Sequence, residues 1–207
     1  MTEARVLIVE DEPIIAEDIA SALRTNDFDV SAIAYSMEDA LEELKNNQPD
    51  LVLLDINLNG SEEGIEIAKV INEKYALPFV FLTSYSDKIT LQHAKSTEPS
   101  GYVVKPFSEA GLYATLEIAL YNHAQKNKHR FPDINLEHIN KTLPTQISER
   151  EFTVVELIYA GKTNNQIAED LFVSINTVKA HIKNIYLKLN TDSRSTLILR
   201  LRELMLL

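Results

Sequence analysis

The chain has 207 residues, 45% of them hydrophobic and 25% charged, with neither cysteine nor tryptophan. That size suits one large or two ordinary domains, and the apolar fraction excludes a chain too polar to offset the entropy of ordering. Without cysteine there is no disulfide framework, thiolate zinc site or cysteine nucleophile, so any site chemistry rests on oxygen and imidazole groups.

No apolar run approaches the roughly 20 residues that a membrane span needs, and residues 1–10 carry no signal-peptide pattern, so a cytoplasmic protein with no membrane partner is expected. The net charge of -11, taken whole, counts against nucleic acid, because phosphate backbones repel acidic surfaces. The charge is unevenly spread, however. Residues 1–126 hold nine Lys/Arg and 22 Asp/Glu, a net -13, whereas 127–143 and 144–207 each come to +1.

In chain order, short apolar runs cover 5–9, 30–34, 51–54, 79–82 and 102–104. Three of them, VLIV, LVLL and FVFL, are continuous rather than alternating, as parallel strands covered on both faces require. Helix-period segments lie between and after them, near 13–24, 37–46, 64–75, 87–95 and 109–125, with Ser36 and Ser108 as caps. Five strands alternating with five helices predict a doubly wound α/β domain of flavodoxin-like order 2-1-3-4-5, with its crevice at the carboxyl ends of the central strands. Residues 127–143, polar and broken by Pro132, read as a linker ahead of Pro144. From 144 to 207 there is no strand pattern. Helical stretches near 149–160, 164–171, 175–189 and 193–205 predict a small all-α module, so the expected division is 1–126, linker 127–143, and 144–207.

The strand ends carry the chemistry. Glu10 and Asp11 follow the first strand, Asp55 the third, Thr83 the fourth, and Lys105 the fifth, with Pro106 next. Three carboxylates at one edge repel unless a cation sits among them, and an all-oxygen set favours Mg2+ or Mn2+ over Zn2+. With a metal present, one carboxylate can act as nucleophile toward phosphorus while ammonium and hydroxyl share the phosphoryl charge. Any one of these acids alone would read as a solvated loop residue. Their coincidence at matching strand ends favours a site.

The segments VLIVEDEP, LVLLDINLNG, FLTSYS and GYVVKPF resemble the signatures of the receiver domain of bacterial two-component response regulators, over residues 4–123. The resemblance implies that Asp55 is the phosphoacceptor. It makes Glu10 and Asp11, with Asp55 and the backbone carbonyl of Asn57, the Mg2+ ligands. Thr83 would bind a phosphoryl oxygen, Lys105 would pair with the phosphoryl group beside a cis Lys105-Pro106 bond, and Tyr102 would be the aromatic that rotates with Thr83. Tyr102 also reads as an ordinary half-buried strand aromatic. The acidic pair is Glu-Asp where Asp-Asp is commoner, and Ser84 stands where a small residue is expected.

In the C-terminal module, IAEDLFVSINTVKAHIKNIYLKL reads as helix, short turn, helix, with Ser174 as N-cap. Val178, Ile182, Ile185 and Leu189 follow i, i+4, i+7, i+11 and share one face. The opposite face bears Asn176, Lys179, Ala180, Lys183 and Leu187, flanked by Thr177, His181 and Lys188, with no acid among them. Two lysines one turn apart around a small residue suit a major groove, although an ordinary solvated face has the same composition. The stretch from Ser148 to Arg194 resembles the LuxR-type helix-turn-helix of the NarL/FixJ class. That resemblance implies base contacts from Lys179, Ala180 and Lys183 and phosphate contacts near Thr177, His181 and Lys188. Gln166 replaces the usual Glu, and Asn190 stands where Gly often ends the recognition helix, a position an asparagine in left-handed conformation can fill. The apolar last helix serves either dimerisation, as in that class, or packing within the monomer.

The leading expectation is a response regulator, not an enzyme: a histidine kinase phosphorylates Asp55, and the output module binds double-stranded DNA as a homodimer to control transcription. A Mg2+-dependent phosphohydrolase is the enzyme alternative, but its general acid would stand two residues after the nucleophile, where this chain has Asn57. A regulator acting through protein contacts is the other alternative, against which Lys179 and Lys183 argue.

Overall fold

The computed structural model describes residues 3–26, 28–84, 88–128 and 133–206. The chain divides into two compact units, one over Arg5–Leu120 and the other over Tyr121–Leu207 together with Met1–Ala4.

The first unit is built on β1 (Ala4–Val9), β2 (Phe28–Ala34), β3 (Leu51–Asp55), β4 (Phe79–Thr83) and β5 (Gly101–Val104), in the order β2-β1-β3-β4-β5. Every residue of β3 and β4 is buried, and all of β1 except Arg5, which is why these runs lack alternation. The partly exposed β2 and β5 form the edges. The strands are followed in turn by α1 (Pro13–Arg24), α2 (Met37–Asn47), α3 (Glu63–Val70), α4 (Lys88–Ser96) and α5 (Glu109–Lys128), the last counting with the second unit from Tyr121 on. Pro13 opens α1, where a missing N–H costs nothing, and Ser36 caps α2 by accepting the Asp39 N–H. The single helix expected over 64–75 is instead α3 followed by a π-helical turn, Ile71–Tyr75, ended by Ala76 in the left-handed region. Residue 87 of the expected fourth helix lies outside the described residues.

The second unit holds α6 (Leu136–Thr142), α7 (Glu149–Tyr159), α8 (Asn164–Leu171), α9 (Ile175–Leu189) and α10 (Arg194–Leu206). Ile139, Val155, Ile167, Val178, Ile182 and Leu197 meet in its core. Arg194 is buried at the start of α10, where its guanidinium donates to the Lys162 carbonyl at 2.6 Å and to Asn164 Oδ1.

Within the expected linker, α6 is a finding. Asn135 caps it through the His138 N–H, Ile139 is completely buried in the helical core, and the Asn140 amide pairs with both backbone groups of Ile147 at 2.8 and 2.9 Å. A seven-residue helix is too short to show a clear 3.6-residue period, so only its polar residues were legible. Pro132, with the rest of 129–132, lies outside the described residues. No described helix is long and apolar enough to cross a membrane.

Candidate functional site

Parallel register carries the site residues to one edge. Val9 pairs with Leu54, Asp55 with Leu82 and Thr83 with Val104, so the groups leaving these strand ends converge. Glu10 is completely buried, and Asp55 and Thr83 nearly so. Lys105 Nζ donates to Glu10 Oε2 and to Asp55 Oδ2, both at 2.6 Å. Its backbone N–H extends the β4–β5 pairing by donating to the Thr83 carbonyl at 2.8 Å, and the Lys105-Pro106 bond is cis.

The loop after β3 folds back toward the same edge. The Asn57 N–H donates to Asp55 Oδ1 at 3.0 Å and the Asn59 N–H to Asp11 Oδ2 at 2.9 Å. Asn59 and Gly60 both take positive φ, 51° and 79°, in a turn that Leu58 and Ser61 close with reciprocal 2.9 Å bonds. Sequence reasoning missed Gly64, whose N–H donates to the Ile56 carbonyl at 3.2 Å. Its one local signal was a glycine inside a helical period, which costs about 1 kcal/mol against alanine unless position demands it.

Burial pushes the Glu10 carboxyl above its ordinary range, and the neighbouring Asp55 charge adds to this, against the hydrogen bond from Lys105. For Lys105, burial would lower the ammonium, but its bonds to Asp55 and Glu10 outweigh that and hold it above its usual value. One ammonium thus serves two crowded carboxylates. Glu10, Asp11 and Asp55 each bring an oxygen within 4.8 Å of the others, and an all-oxygen set short of positive charge fits Mg2+. Tyr102 on β5 lies 5.9 Å from the Phe81 ring, its hydroxyl buried with no hydrogen-bond partner among the described residues. Burial raises the Tyr102 pKa.

In the helical unit, α8 opens with Thr163 as N-cap. Gln166 Oε1 accepts the Thr163 N–H at 2.9 Å, so the amide completes the capping box where the class carries an acid. Ser174 caps α9, and Asn190 ends it in the left-handed region with its N–H on the Tyr186 carbonyl. Val178, Ile182, Ile185 and Leu189 are buried, whereas Asn176, Thr177, Ala180, Lys183 and Leu187 are exposed, with Lys179 and His181 half-buried beside them. Lys179 Nζ pairs with the Glu3 carboxylate, and the Lys188 ammonium donates to Glu151 Oε2 at 2.7 Å and to the Gln146 carbonyl at 2.9 Å. Those Lys188 bonds tie α9 to the start of α7.

A doubly wound sheet with this acidic edge and its bridging lysine defines the receiver class. The family model for the response regulator receiver domain matches residues 6–117, and that for bacterial regulatory proteins of the luxR family matches 145–201. The chain is 30% identical over 196 residues to the transcriptional regulatory protein YdfI of Bacillus subtilis, covering 92% of each. It is 25% identical over 206 residues to the oxygen regulatory protein NreC of Staphylococcus epidermidis, covering 94% of each. Among solved structures, the signal receiver domain of a modulated diguanylate cyclase from Desulfovibrio desulfuricans is similar at 32% identity and a TM-score of 0.57, over 60% of this chain and 98% of that one. The chain belongs to the two-component response regulators of the NarL/FixJ class, and it is a transcription regulator with a receiver domain and a LuxR-type DNA-binding domain.

Proposed function

We propose that Asp55 is the phosphoacceptor of this regulator and that a sensor histidine kinase is the donor. The observation that carries this reading is the double hydrogen bond from Lys105 to Asp55 and Glu10. It sets an ammonium beside the carboxylate that would attack phosphorus, where it can pair with the phosphoryl group once the acyl phosphate has formed. Glu10, Asp11, Asp55 and the Asn57 carbonyl are the residues that would hold Mg2+. When bound, the ion would supply positive charge to the equatorial phosphoryl oxygens. Thr83, from the end of the neighbouring strand, would donate its hydroxyl to one of those oxygens, and Tyr102 would follow its movement. Only self-directed phosphoryl transfer and hydrolysis of the resulting aspartyl phosphate to inorganic phosphate belong to this site, because Asn57 cannot supply the proton that a phosphohydrolase needs.

The receiver function is assigned to 1–126 and DNA binding to 144–207, with α6 packed on the latter. Lys179, Ala180 and Lys183 would meet base edges in a major groove and Thr177 and His181 the flanking phosphates, on duplex DNA in the cytoplasm. A homodimer on two half-sites would use α10, on which Leu199 and Leu206 stay exposed while Leu197, Leu201 and Leu204 pack inward.

The test is a Mg2+-dependent mass gain on incubation with a small-molecule phosphodonor, abolished in Asp55→Ala. Persistence of the gain in that variant overturns the assignment.

A further inference from the structure

Between α8 and α9 the chain turns at Phe172. This residue ends α8 in the left-handed region, at φ 53° and ψ 43°, with its N–H on the carbonyls of Ala168 and Glu169. Six non-glycine residues have positive φ among those described, and Phe172 is the one aromatic. Glycine occupies this region without penalty and asparagine tolerates it, whereas a large side chain there is an outlier. Burial offers no compensation, because Phe172 is 95% exposed. The next residue, Val173, points the other way and packs against the helical core. Neither the backbone nor the core of this unit therefore has a use for the ring, and a strained residue that folding does not reward points to a contact made outside the fold.

Its position says which contact. Phe172 precedes the N-cap of α9 by two residues, so it adjoins the end of the helix that opens onto the exposed face of Asn176, Thr177, Ala180 and Lys183. In helix-turn-helix proteins the first turns of the recognition helix reach the base edges, and the segment leading into them runs beside the groove wall. A phenyl ring has no hydrogen bond to give to a phosphate. What the groove wall offers it is the apolar face of a deoxyribose.

We propose that Phe172 is a DNA contact, packing its ring on the sugar face of the backbone that borders the groove entered by α9. This deepens the DNA-binding assignment above and rests on it. The physical signature differs from that of the lysines. A lysine on a phosphate releases counterions, so its removal flattens the dependence of affinity on salt, whereas removal of an apolar contact weakens binding without altering that slope.

The experiment uses the full chain and a duplex obtained by selecting bound molecules from a random-sequence pool with that chain. Dissociation constants are measured over a range of salt for the unaltered protein, Phe172→Gly, Phe172→Leu and Lys183→Ala, together with the thermal midpoint of each. Phe172→Gly should bind about 5–20-fold more weakly at every salt concentration, with an unchanged slope and a midpoint equal to or above that of the unaltered protein. Phe172→Leu should lie between. Lys183→Ala should lower the slope by about one. Unchanged affinity in Phe172→Gly overturns the proposal, and if transcription by RNA polymerase is lost in that variant the ring serves a protein instead. A slope that falls with Phe172 overturns it as well. Failure of the unaltered chain to select any duplex overturns the DNA assignment itself, and this proposal with it.

Discussion

A side chain on Gly64 would collide with Asp55: its Cβ would lie 1.9 Å from the Asp55 carbonyl oxygen and 2.8 Å from that of Ile56. Both obstacles are backbone atoms at the end of β3, so no rotamer change can make room. Gly64→Ala must therefore displace either the first turn of α3 or the strand end that positions the Asp55 carboxylate. A stability loss of about 1–3 kcal/mol is expected, as for other forced overpacking. Uptake of a phosphoryl group should fall at least tenfold, because misplacement of a reacting group by an ångström costs on the order of 100-fold. Urea denaturation and the rate of mass gain on a phosphodonor measure the two effects. Wild-type uptake in the variant would show that the loop absorbs the methyl group.

The fully buried Glu10 shares one ammonium with Asp55, and its carboxyl is held above the ordinary range. Its ionised form therefore works against folding, and a neutral isostere should relieve that. Glu10→Gln is expected to raise the thermal midpoint in chelator, by about 2–4 °C per kcal/mol gained for a protein of this size. The same change removes the charge of a proposed Mg2+ ligand, so the midpoint rise on adding Mg2+ should shrink or vanish. Differential scanning calorimetry with and without Mg2+ reads both. A midpoint that falls in chelator would show the Glu10–Lys105 bond to outweigh the crowding.

How far the sequence discloses such features depends on the range of the interaction. The continuous runs at β1, β3 and β4 could be read because burial on both faces imprints every residue, and the residues just beyond them could be read because parallel strands share one carboxyl edge. The facing sets of α9 could be read because 15 residues give four turns of period. Gly64 is different, since its requirement comes from a carbonyl nine residues earlier that only the folded loop brings near. The role of Lys188 depends on Glu151, 37 residues away on another helix, and no local pattern records it. The π-helical turn at Ile71–Tyr75 has the composition of ordinary helix.

The pair of Glu151 and Lys188 has a pH signature. Burial opposes ionisation of Glu151, but the hydrogen bonds from Lys188 and from the Ser148 N–H and hydroxyl together hold its carboxyl below the ordinary 4.5. A carboxyl with a lowered folded value contributes stability above its unfolded value, and that stability is lost as pH falls through the folded one. The helical unit should therefore lose stability on acidification below about pH 4.5, and Glu151→Gln should flatten that limb while lowering stability at neutral pH. Lys188→Met should do the same and leave the salt slope of DNA binding unchanged. Denaturation midpoints across pH 3–7 test the first expectation. A slope reduced by about one in Lys188→Met would count that lysine among the phosphate contacts, as the resemblance implies.

α6 makes the last prediction, which concerns where the DNA-binding unit begins. Ile139 is fully buried among the residues of α7, α9 and α10, and His138 Nε2 sits 3.1 Å from the Leu204 carbonyl near the end of α10. The Asn140 amide holds Ile147 by two hydrogen bonds just before the α7 cap. A fragment starting at residue 144 forfeits all of these contacts and opens a hole in the core. Ile139→Ala alone should cost about 2–5 kcal/mol, a large part of the stability a unit of this size can have. Fragment 133–207 is accordingly expected to melt cooperatively and to bind DNA. Fragment 144–207 should melt at a clearly lower temperature, with DNA affinity reduced by the fraction unfolded. Circular dichroism melts of the two fragments and of Ile139→Ala in the full chain decide the matter. Equal midpoints for the fragments would mean that α6 lies on the core without contributing to it.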